Sequence, residues 1–402
     1  MIAVKDKLIF IPLVSLLMGF MISDYKVLCN LVGSIATLML LIYTQGYCGD
    51  DYYENKNTRY YVLFLVYYTI TSLFNLNIYS WFVYLLFYLI LFCPFILYRY
   101  IENSRNISLV KVILVIFFVI WTVFCILSVK SCIEVPDLAR LMAAYRPSFK
   151  NVINGGGYPM GYGAVILSTH LLYLILNNKI KSRLIRWLVF GELILMLFMV
   201  MLINSFIILC GLLIGYGIII LNRITKNSKS RLFTYFFFGI VAIVVCVFIG
   251  EILLFIADNT TDDFWHKRWM ETYNSIINGN DSNHVEERQL MYQISFDSFL
   301  QSPIFGVGYK FGNVFSLGDF TYIGNHSTII DSLAQYGIIG ATPLFLFLLY
   351  PLKRNIMLGH DSSYLVPFAL MSCLNPIFHN FHPILIVYLI IPLTQLLIQD
   401  DE

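Results

Sequence analysis

The stretch SLVKVILVIFFVIWTVFCILSV, residues 108–129, decides the fold, because it is almost entirely apolar and has Lys111 as its single charged side chain. A run of about 20 apolar residues is long enough to cross the hydrocarbon core of a bilayer as an α-helix. Its apolar residues are continuous and do not alternate with a period of two, which excludes a strand of a membrane β-barrel. We therefore predict a membrane-spanning helix here.

Runs of the same kind recur along the 402 residues, which are 59% hydrophobic and only 12% charged, with a mean hydropathy of +0.75. Soluble domains carry roughly 25% charged residues. We predict an all-α, polytopic membrane protein with about 12 transmembrane helices. The predicted spans are 8–23, 26–45, 60–77, 79–98, 108–129, 161–178, 185–203, 205–222, 233–256, 329–352, 363–379 and 383–398.

Basic residues cluster in alternate short loops, around 99–105, 179–186, 223–231 and 353–354. The positive-inside rule assigns these loops to the cytoplasm, and with Lys5 and Lys7 it predicts that both termini are cytoplasmic. Two longer segments then lie on the outer face. We predict an N-terminal transmembrane bundle over 1–256, which includes an outer loop at 130–160. A large extracytoplasmic cap follows at 257–328, between the ninth and tenth spans, and C-terminal transmembrane helices occupy 329–402.

Within the cap, residues 286–302 form an amphipathic pattern that Pro303 ends. The pattern predicts a helix with one apolar side, made of Leu290, Met291, Ile294 and Leu300. The glycine-rich segment 306–308 follows and predicts a turn that lies close to the membrane or to a ligand, since it lacks the context of a nucleotide-binding loop.

Asn325-His326-Ser327 stands where the cap gives way to the apolar run that begins at Ile329. Thr328 with Asp331 predicts an N-terminal helix cap. The unpaired N–H groups of a helix N-terminus favour an anion such as phosphate. A neutral imidazole can take a proton from a hydroxyl group. The alternative for His326 is an interfacial histidine that bonds a loop carbonyl.

Gly337 and Gly340, with Ala334 and Ala341, form a face of small residues on the following helix. Small residues allow helix backbones to approach each other closely in membranes. We therefore predict close helix packing at this face, which would fix the helix whose first turn presents His326.

Two arginines on the predicted outer face are candidates for anion binding, Arg146 in the first outer loop and Arg288 in the cap. Guanidinium groups bind phosphates through two parallel hydrogen bonds and keep their charge at any working pH. The alternative is pairing with neighbouring carboxylates, which we favour for Arg268 because Asp262 and Asp263 are close in sequence.

His379 and His382 fall near the outer end of the eleventh span, where they are expected to approach His326. No carboxylate or cysteine recurs beside them at ligand spacing, so we predict no metal site. His170 lies inside the sixth span. Ionisable groups within a membrane are candidates for function, although they also pair locally.

The order of these features resembles the O-antigen polymerase and ligase superfamily, the Wzy/WaaL-like enzymes of the bacterial cell envelope. The resemblance is carried by Arg288, by the SPIFGVG segment at 302–308, by the Asn-His-Ser sequence at 325–327, and by Gly337 with Gly340. It is fairly specific over residues 286–340 and looser over the rest of the chain. The segment around Arg146 is similar to an arginine-led stretch in the family's earlier outer loop.

This resemblance implies an inverting glycosyltransferase whose donor is an oligosaccharide linked to polyprenyl pyrophosphate, without a metal, nucleotide or other cofactor. By the same resemblance, His326 deprotonates the acceptor hydroxyl. Arg288 and Arg146, with Asn325 and Ser327, hold the pyrophosphate. Further side chains expected near the site are Arg268, His379 and His382.

The expected setting is the inner membrane of a bacterium, with the active site on its outer face. Membrane lipid and a co-polymerase that regulates chain length are the expected partners, and no nucleic acid is expected. The leading hypothesis is a polymerase of O-antigen, capsule or exopolysaccharide repeats. The alternatives are a ligase that moves glycan onto lipid A-core, a transporter or flippase of lipid-linked sugar, for which Pro94 and Pro376 would serve as helix breakers, and a scaffold without catalysis.

Overall fold

A computed structural model describes the greater part of the chain. The described residues are 32, 35, 39, 56–74, 78–104, 106–135, 138–139, 157–203, 205–227, 247–261, 266–267, 269–270, 273–274, 277, 283–308, 323–324, 326–357, 359, 361–377 and 380–401. The predicted site residues Arg146, Arg268, Asn325 and His379 lie outside these ranges, as do the predicted spans 8–23 and 26–45, apart from three single residues.

Helices account for nearly all of the described chain. In order, they are α1 (Lys56–Phe74), α2 (Ile78–Ser104), α3 (Ile107–Glu134), α4 (Tyr158–Leu176), α5 (Arg183–Ile203), α6 (Phe206–Asn227), α7 (Ile249–Asp258), α8 (Asn283–Gln301), α9 (Thr328–Met357), α10 (Leu365–Leu374) and α11. The last, α11, begins as Phe381–Leu385, passes through a π-helical turn at Ile386–Ile390 and continues as Ile391–Asp401.

Six of the described helices are long and apolar enough to cross a membrane, namely α3, α4, α5, α6, α9 and α11. The chain is therefore an integral membrane protein of the all-helical class. The predicted total of about 12 spans, and the predicted position of the loops relative to the membrane, stay predictions.

Two helices end at residues that differ from the ends of the predicted spans, and a proline follows each of these ends. Helix α3 continues to Glu134, into the predicted outer loop 130–160, and stops just before Pro136. The predicted span 363–379 contains the ten-residue helix α10, which ends at an extended Asn375 followed by Pro376. The ring of a proline disfavours helical backbone in the residue before it, so each helix ends where its proline dictates.

Most of the described helices pack around one core of buried apolar residues. Helix α4 contacts α5, α6 and the start of α11, while α9 lies against α1 and α8. Aromatic rings fill the space between α1, α2 and α9. Tyr61 stacks on Phe92 with ring centroids 4.0 Å apart, and both rings contact Phe347. Contacts of this kind hold helices together in lipid, where the hydrophobic effect between helices is weak.

A charged cluster ties α2 to α9 at one end of the bundle. The guanidinium of Arg354 donates two hydrogen bonds to the carboxylate of Glu102, at 2.8 and 3.0 Å, and Arg99 donates a third at 2.7 Å. Both segments belong to loops that the sequence assigns to the cytoplasm. Burial alone would raise the pKa of the Glu102 carboxyl, but the hydrogen bonds and charges of Arg354 and Arg99 lower it below its ordinary value.

We expect Glu102→Gln to destabilise the protein at neutral pH. The pKa of Glu102 is lower in the folded state than in the unfolded chain, where it is about 4.3. The carboxylate therefore stabilises the fold above that value, and the stabilisation is lost as pH falls through the folded pKa. Hydrogen bonds to charged groups contribute about 1.5–3 kcal/mol.

Thermal unfolding in detergent at pH 7.5 and below pH 4 measures this effect. The midpoint of Glu102→Gln should be lower than that of the wild type at pH 7.5, and the two should converge at acidic pH. Glu134→Gln is the matched control, because Glu134 lies in an exposed pair 3.8 Å from Lys130 and should change little. An equal deficit at both pH values would contradict a role for the charge.

A second polar cluster at the same end is fully buried. His170 on α4 has its Nδ1 2.8 Å from a carboxylate oxygen of Asp361 and its Nε2 2.7 Å from the hydroxyl of Thr394 on α11. The other oxygen of Asp361 accepts from the backbone and hydroxyl of Ser363. His170 therefore pairs locally and joins α4, α11 and the loop after α9.

Candidate active site

The central structural feature of the site is a break in α9 at Gly337. This residue has φ 61° and ψ −173°, which is outside the helical region, although the helix continues on both sides. The expectation of simple close packing along a small-residue face is therefore wrong at Gly337. A break of this kind releases backbone groups on both sides, and they need other hydrogen-bond partners when buried.

The turn that follows α8 supplies those partners. In an unbroken helix, the N–H groups of residues 338 and 339 would bond to the carbonyls of residues 334 and 335. Here the turn at residues 303–308 lies between these N–H and carbonyl groups and exchanges four backbone hydrogen bonds with α9. They run from Ile338 N to Pro303 O (2.9 Å), Ile339 N to Ile304 O (3.1 Å), Val307 N to Ala334 O (2.9 Å) and Gly308 N to Gln335 O (3.0 Å).

Glycine is required on both sides of this junction. A Cβ on Gly337 would lie 2.3 Å from the carbonyl oxygen of Ile304 and 2.4 Å from the amide nitrogen of Gly306. Gly306 itself has φ 72°, and a Cβ there would lie 2.3 Å from the carbonyl oxygen of Gln335. Both positions combine a left-handed φ with direct backbone contact. The glycines of segment 302–308 and Gly337 thus belong to one interlocked unit.

Helix α1 closes the outside of this unit. The hydroxyl of Tyr67 donates a hydrogen bond to the carbonyl of Phe305, in the turn. The ring of the same tyrosine covers Gly340, where a Cβ would lie 2.2 Å from the Tyr67 ring. Close helix packing therefore occurs at Gly340, one turn beyond the break.

Helix α8, predicted over 286–302 and observed as Asn283–Gln301, packs against α9 through small polar residues. Ser295 and Ser298 are buried, whereas Leu290 and Leu300 are exposed. The helix is therefore confirmed, and its buried side is the one that carries Ser295 and Ser298. Serine side chains are small enough to let two backbones approach closely, and they need hydrogen bonds when buried.

His326 lies between this helix and the start of α9, and it is half-buried. Its Nδ1 is 2.8 Å from the carbonyl oxygen of Gly324. A carbonyl only accepts hydrogen bonds, so Nδ1 carries the proton, and the neutral ring then has its lone pair on Nε2. The ring of Tyr292 stands edge-on to it with centroids 6.5 Å apart. Within the described ranges, no group hydrogen-bonds to Nε2.

The helix cap beside His326 differs by one residue from the prediction. Ser327 is the cap, because its hydroxyl accepts from Ile330 N at 3.3 Å, and Asp331 accepts from Ser327 N at 2.8 Å. Thr328 bonds instead to the carbonyl of Asn375, at the end of α10. Since the carboxylate of Asp331 already takes the Ser327 N–H, that group is not offered to a phosphate. Ser327 is buried, and its contact with pyrophosphate stays a prediction.

Arg288 lies on α8, although its side chain is outside the described atoms. It precedes Tyr292 by four residues and Ser295 by seven, a spacing that puts the three positions on one face of a helix. It is about 6 Å along the axis from Tyr292, the residue whose ring contacts His326. The hydroxyl of Tyr292 donates to Leu374 O at 2.9 Å, which fixes α8 to the end of α10.

His382 lies at the start of α11. Its ring lies edge-on to Trp121 and Phe124 of α3, and its Cβ lies against Gly163 of α4. The expectation that His382 approaches His326 stays a prediction.

The described part of the chain has no group of three or more histidine, cysteine, aspartate or glutamate side chains arranged to hold a metal ion.

Comparison with known proteins gives one match. The sequence model of a family described as O-antigen ligase matches residues 192–345, from the middle of α5 to the middle of α9. The matched segment contains Arg288, His326 and the Gly306–Gly337 junction. No curated protein and no solved structure matches the chain. Over residues 192–345, and together with the ordered motifs of residues 286–340, the chain is thus similar to the O-antigen polymerase and ligase superfamily.

Proposed function

We propose that this protein is a polysaccharide polymerase that joins oligosaccharide repeats carried on polyprenyl pyrophosphate. The observation that carries the proposal is the state of His326. It lies in the segment that matches the family, and its Nδ1 is held by the Gly324 carbonyl. That bond directs the lone pair of the imidazole to Nε2, which is the form that a general base requires.

In the proposed reaction, Nε2 of His326 takes the proton of an acceptor sugar hydroxyl. The hydroxyl oxygen attacks the anomeric carbon of the donor glycan from the side opposite the pyrophosphate. The new glycosidic bond forms as the bond between the anomeric carbon and the phosphate oxygen breaks, so the configuration inverts. The electron pair leaves with polyprenyl pyrophosphate, and the proton on His326 is later released to solvent.

Arg288 and Arg146 are proposed to bind the pyrophosphate and neutralise its developing charge. A preorganised contact of this kind lowers the activation free energy by about 2.7–4 kcal/mol, which raises the rate 100- to 1,000-fold. Asn325, which is not among the described residues, is proposed to complete the anion site. Fixed cations at these positions would neutralise the charge of the leaving group and so remove the need for a divalent metal.

The proposed setting is the inner membrane of a bacterium, with the site on the outer face and both termini in the cytoplasm. Arg99 and Arg354, both in predicted cytoplasmic loops, meet at Glu102. Lys353 continues the same basic loop. The site lies at the start of α9 and the basic cluster near its end. A co-polymerase that regulates chain length and the surrounding lipid are the proposed partners.

The test is a reconstituted transfer reaction. Purified protein in lipid nanodiscs is incubated with a synthetic polyprenyl-pyrophosphate oligosaccharide in the presence of EDTA. We expect a ladder of extended glycans on the lipid carrier. Absence of extension would contradict the polymerase proposal, and extension that requires added Mg²⁺ would contradict metal independence.

The ligase is the alternative within the same chemistry, because it differs only in the acceptor. The matching family is described as O-antigen ligase, and this description supports the ligase as the alternative. Deletion in the native host separates the two. Single repeats that accumulate in place of long polymer indicate the polymerase, whereas polymer of normal length left on its lipid carrier indicates the ligase.

A transporter or flippase of lipid-linked sugar is the alternative from another class of protein, and the position of Glu192 favours it. Glu192 is buried in the middle of α5, and one carboxyl oxygen lies 2.7 Å from the hydroxyl of Thr122 on α3. Ionisable residues within a membrane often mark a transport path. Proteoliposomes separate the classes, because a flippase moves lipid-linked sugar across the bilayer without lengthening it.

A further inference from the structure

We infer that Ser295 and Asp331 are positioning residues that set the orientation of the His326 imidazole. This inference rests on the proposed function, since it concerns the same transfer reaction. Neither residue is adjacent to His326 in sequence, and Ser295 belongs to a different helix.

The hydroxyl of Ser295 connects α8 to both sides of the His326 loop. It donates to Oδ1 of Asp331 at 2.6 Å and accepts from the backbone N–H of Gly324 at 2.8 Å. One hydroxyl proton and one lone pair account for these two bonds. Ser295 and Asp331 are 0% and 2% exposed, so no water competes with them.

The second oxygen of Asp331 accepts from the N–H of Ser327 at 2.8 Å. Ser327, which follows His326, is thus bonded directly to the Asp331 carboxylate. Gly324, two residues before His326, is bonded to the same carboxylate through Ser295. The carbonyl of Gly324 also accepts the hydrogen bond that Nδ1–H of His326 donates. The carboxylate is therefore linked through Ser295 to the N–H of Gly324, and the carbonyl on the other side of the Gly324 Cα is bonded to the ring.

The Gly324 peptide has little room to move when these hydrogen bonds are intact. A Cβ at Gly324 would lie 2.1 Å from the carbonyl oxygen of Met291, so the peptide rests directly on the backbone of α8. The edge of the Tyr292 ring bounds the imidazole on the same side. Loss of the Ser295 hydroxyl would release the Gly324 N–H and let the backbone of Gly324 shift, which would move the carbonyl that holds Nδ1 and turn Nε2 away from the acceptor.

The experiment compares Ser295→Ala with Ser298→Ala in the reconstituted reaction. Ser298 is the matched control, because it is buried on the same helix one turn further on. We expect Ser295→Ala to lower kcat about 10- to 100-fold, as misplacement of a catalytic group by about 1 Å does. KM for the donor should stay near the wild-type value. Asp331→Asn, the second variant, should lower kcat in the same way, because its amide cannot accept both bonds.

An activity-independent readout separates this inference from the proposed function. Modification of His326 by diethylpyrocarbonate, followed by mass spectrometry of the labelled peptide, should be severalfold faster in Ser295→Ala than in the wild type and unchanged in Ser298→Ala. Faster labelling without any transfer by the wild type would support the positioning role and refute the glycosyltransferase. Wild-type kcat and wild-type labelling in Ser295→Ala would overturn the inference.

Discussion

Replacement of His326 by alanine is expected to lower the rate of glycan transfer by roughly 10²–10⁴-fold, the contribution typical of a general base. The variant keeps Gly324, Ser295 and Asp331, whose bonds to one another do not involve the imidazole. It should therefore be produced and inserted at normal levels. In the native host we expect short glycans in place of polymer.

His266→Ala is the matched control for this substitution. His266 is also in the predicted cap, and its Nδ1 likewise lies 2.8 Å from a backbone carbonyl, that of Ala257. It is not in the segment that joins α8 and α9 at the proposed site, so its loss should leave transfer near the wild-type rate. Wild-type chain length in His326→Ala would contradict the catalytic assignment, and equal losses in both variants would indicate a general effect of the histidines on folding.

The second large effect is expected for Gly337→Ala, which should prevent stable folding. Backbone strain at its φ and ψ costs about 1–3 kcal/mol for a residue with a Cβ. The methyl group would also lie 2.3 Å from the carbonyl oxygen of Ile304, so the turn has to move. Loss of the four backbone bonds of that junction would add about 1 kcal/mol each. The sum is comparable to the whole stability of a typical domain.

Gly217→Ala provides the control, because Gly217 lies within helix α6 and a Cβ there meets nothing within 4 Å. Alanine in a helix interior is favoured over glycine by about 0.5–1 kcal/mol, so this variant should be as stable as the wild type or slightly more so. Fluorescence-detected size-exclusion chromatography with a thermal ramp measures both. A monodisperse Gly337→Ala protein with a wild-type midpoint would contradict the interlocked junction.

The helical membrane fold was accessible from sequence because each helix is encoded by a local run of residues. The predicted spans 108–129 and 185–203 agree with the starts of α3 and α5 and with the end of α5 to within two residues. The break at Gly337 was not accessible in this way. A small residue at helical spacing is consistent both with close packing and with a positive φ, and only the turn from another part of the chain decides between them.

The candidate site divides along the same line. His326 and the capping role of Asp331 follow from residues within a few positions of each other, and both could be predicted, although the cap itself is Ser327. The bond from Ser295 to Asp331 joins residues 36 positions apart, and no local pattern encodes it. Glu192 was not among the predicted site residues, although an acidic residue in the middle of an apolar run is visible in the sequence and could have indicated it.

The most direct test of the proposed roles of His326 and Arg288 is a cryo-electron microscopy structure of the protein with a nonreactive analogue of the lipid-linked donor and an acceptor oligosaccharide. We predict an acceptor hydroxyl about 3 Å from Nε2 of His326, the reach required of a general base. We also predict the pyrophosphate within hydrogen-bond distance of the Arg288 guanidinium. A pyrophosphate bound away from α8, or a sugar that leaves Nε2 without contact, would contradict these roles.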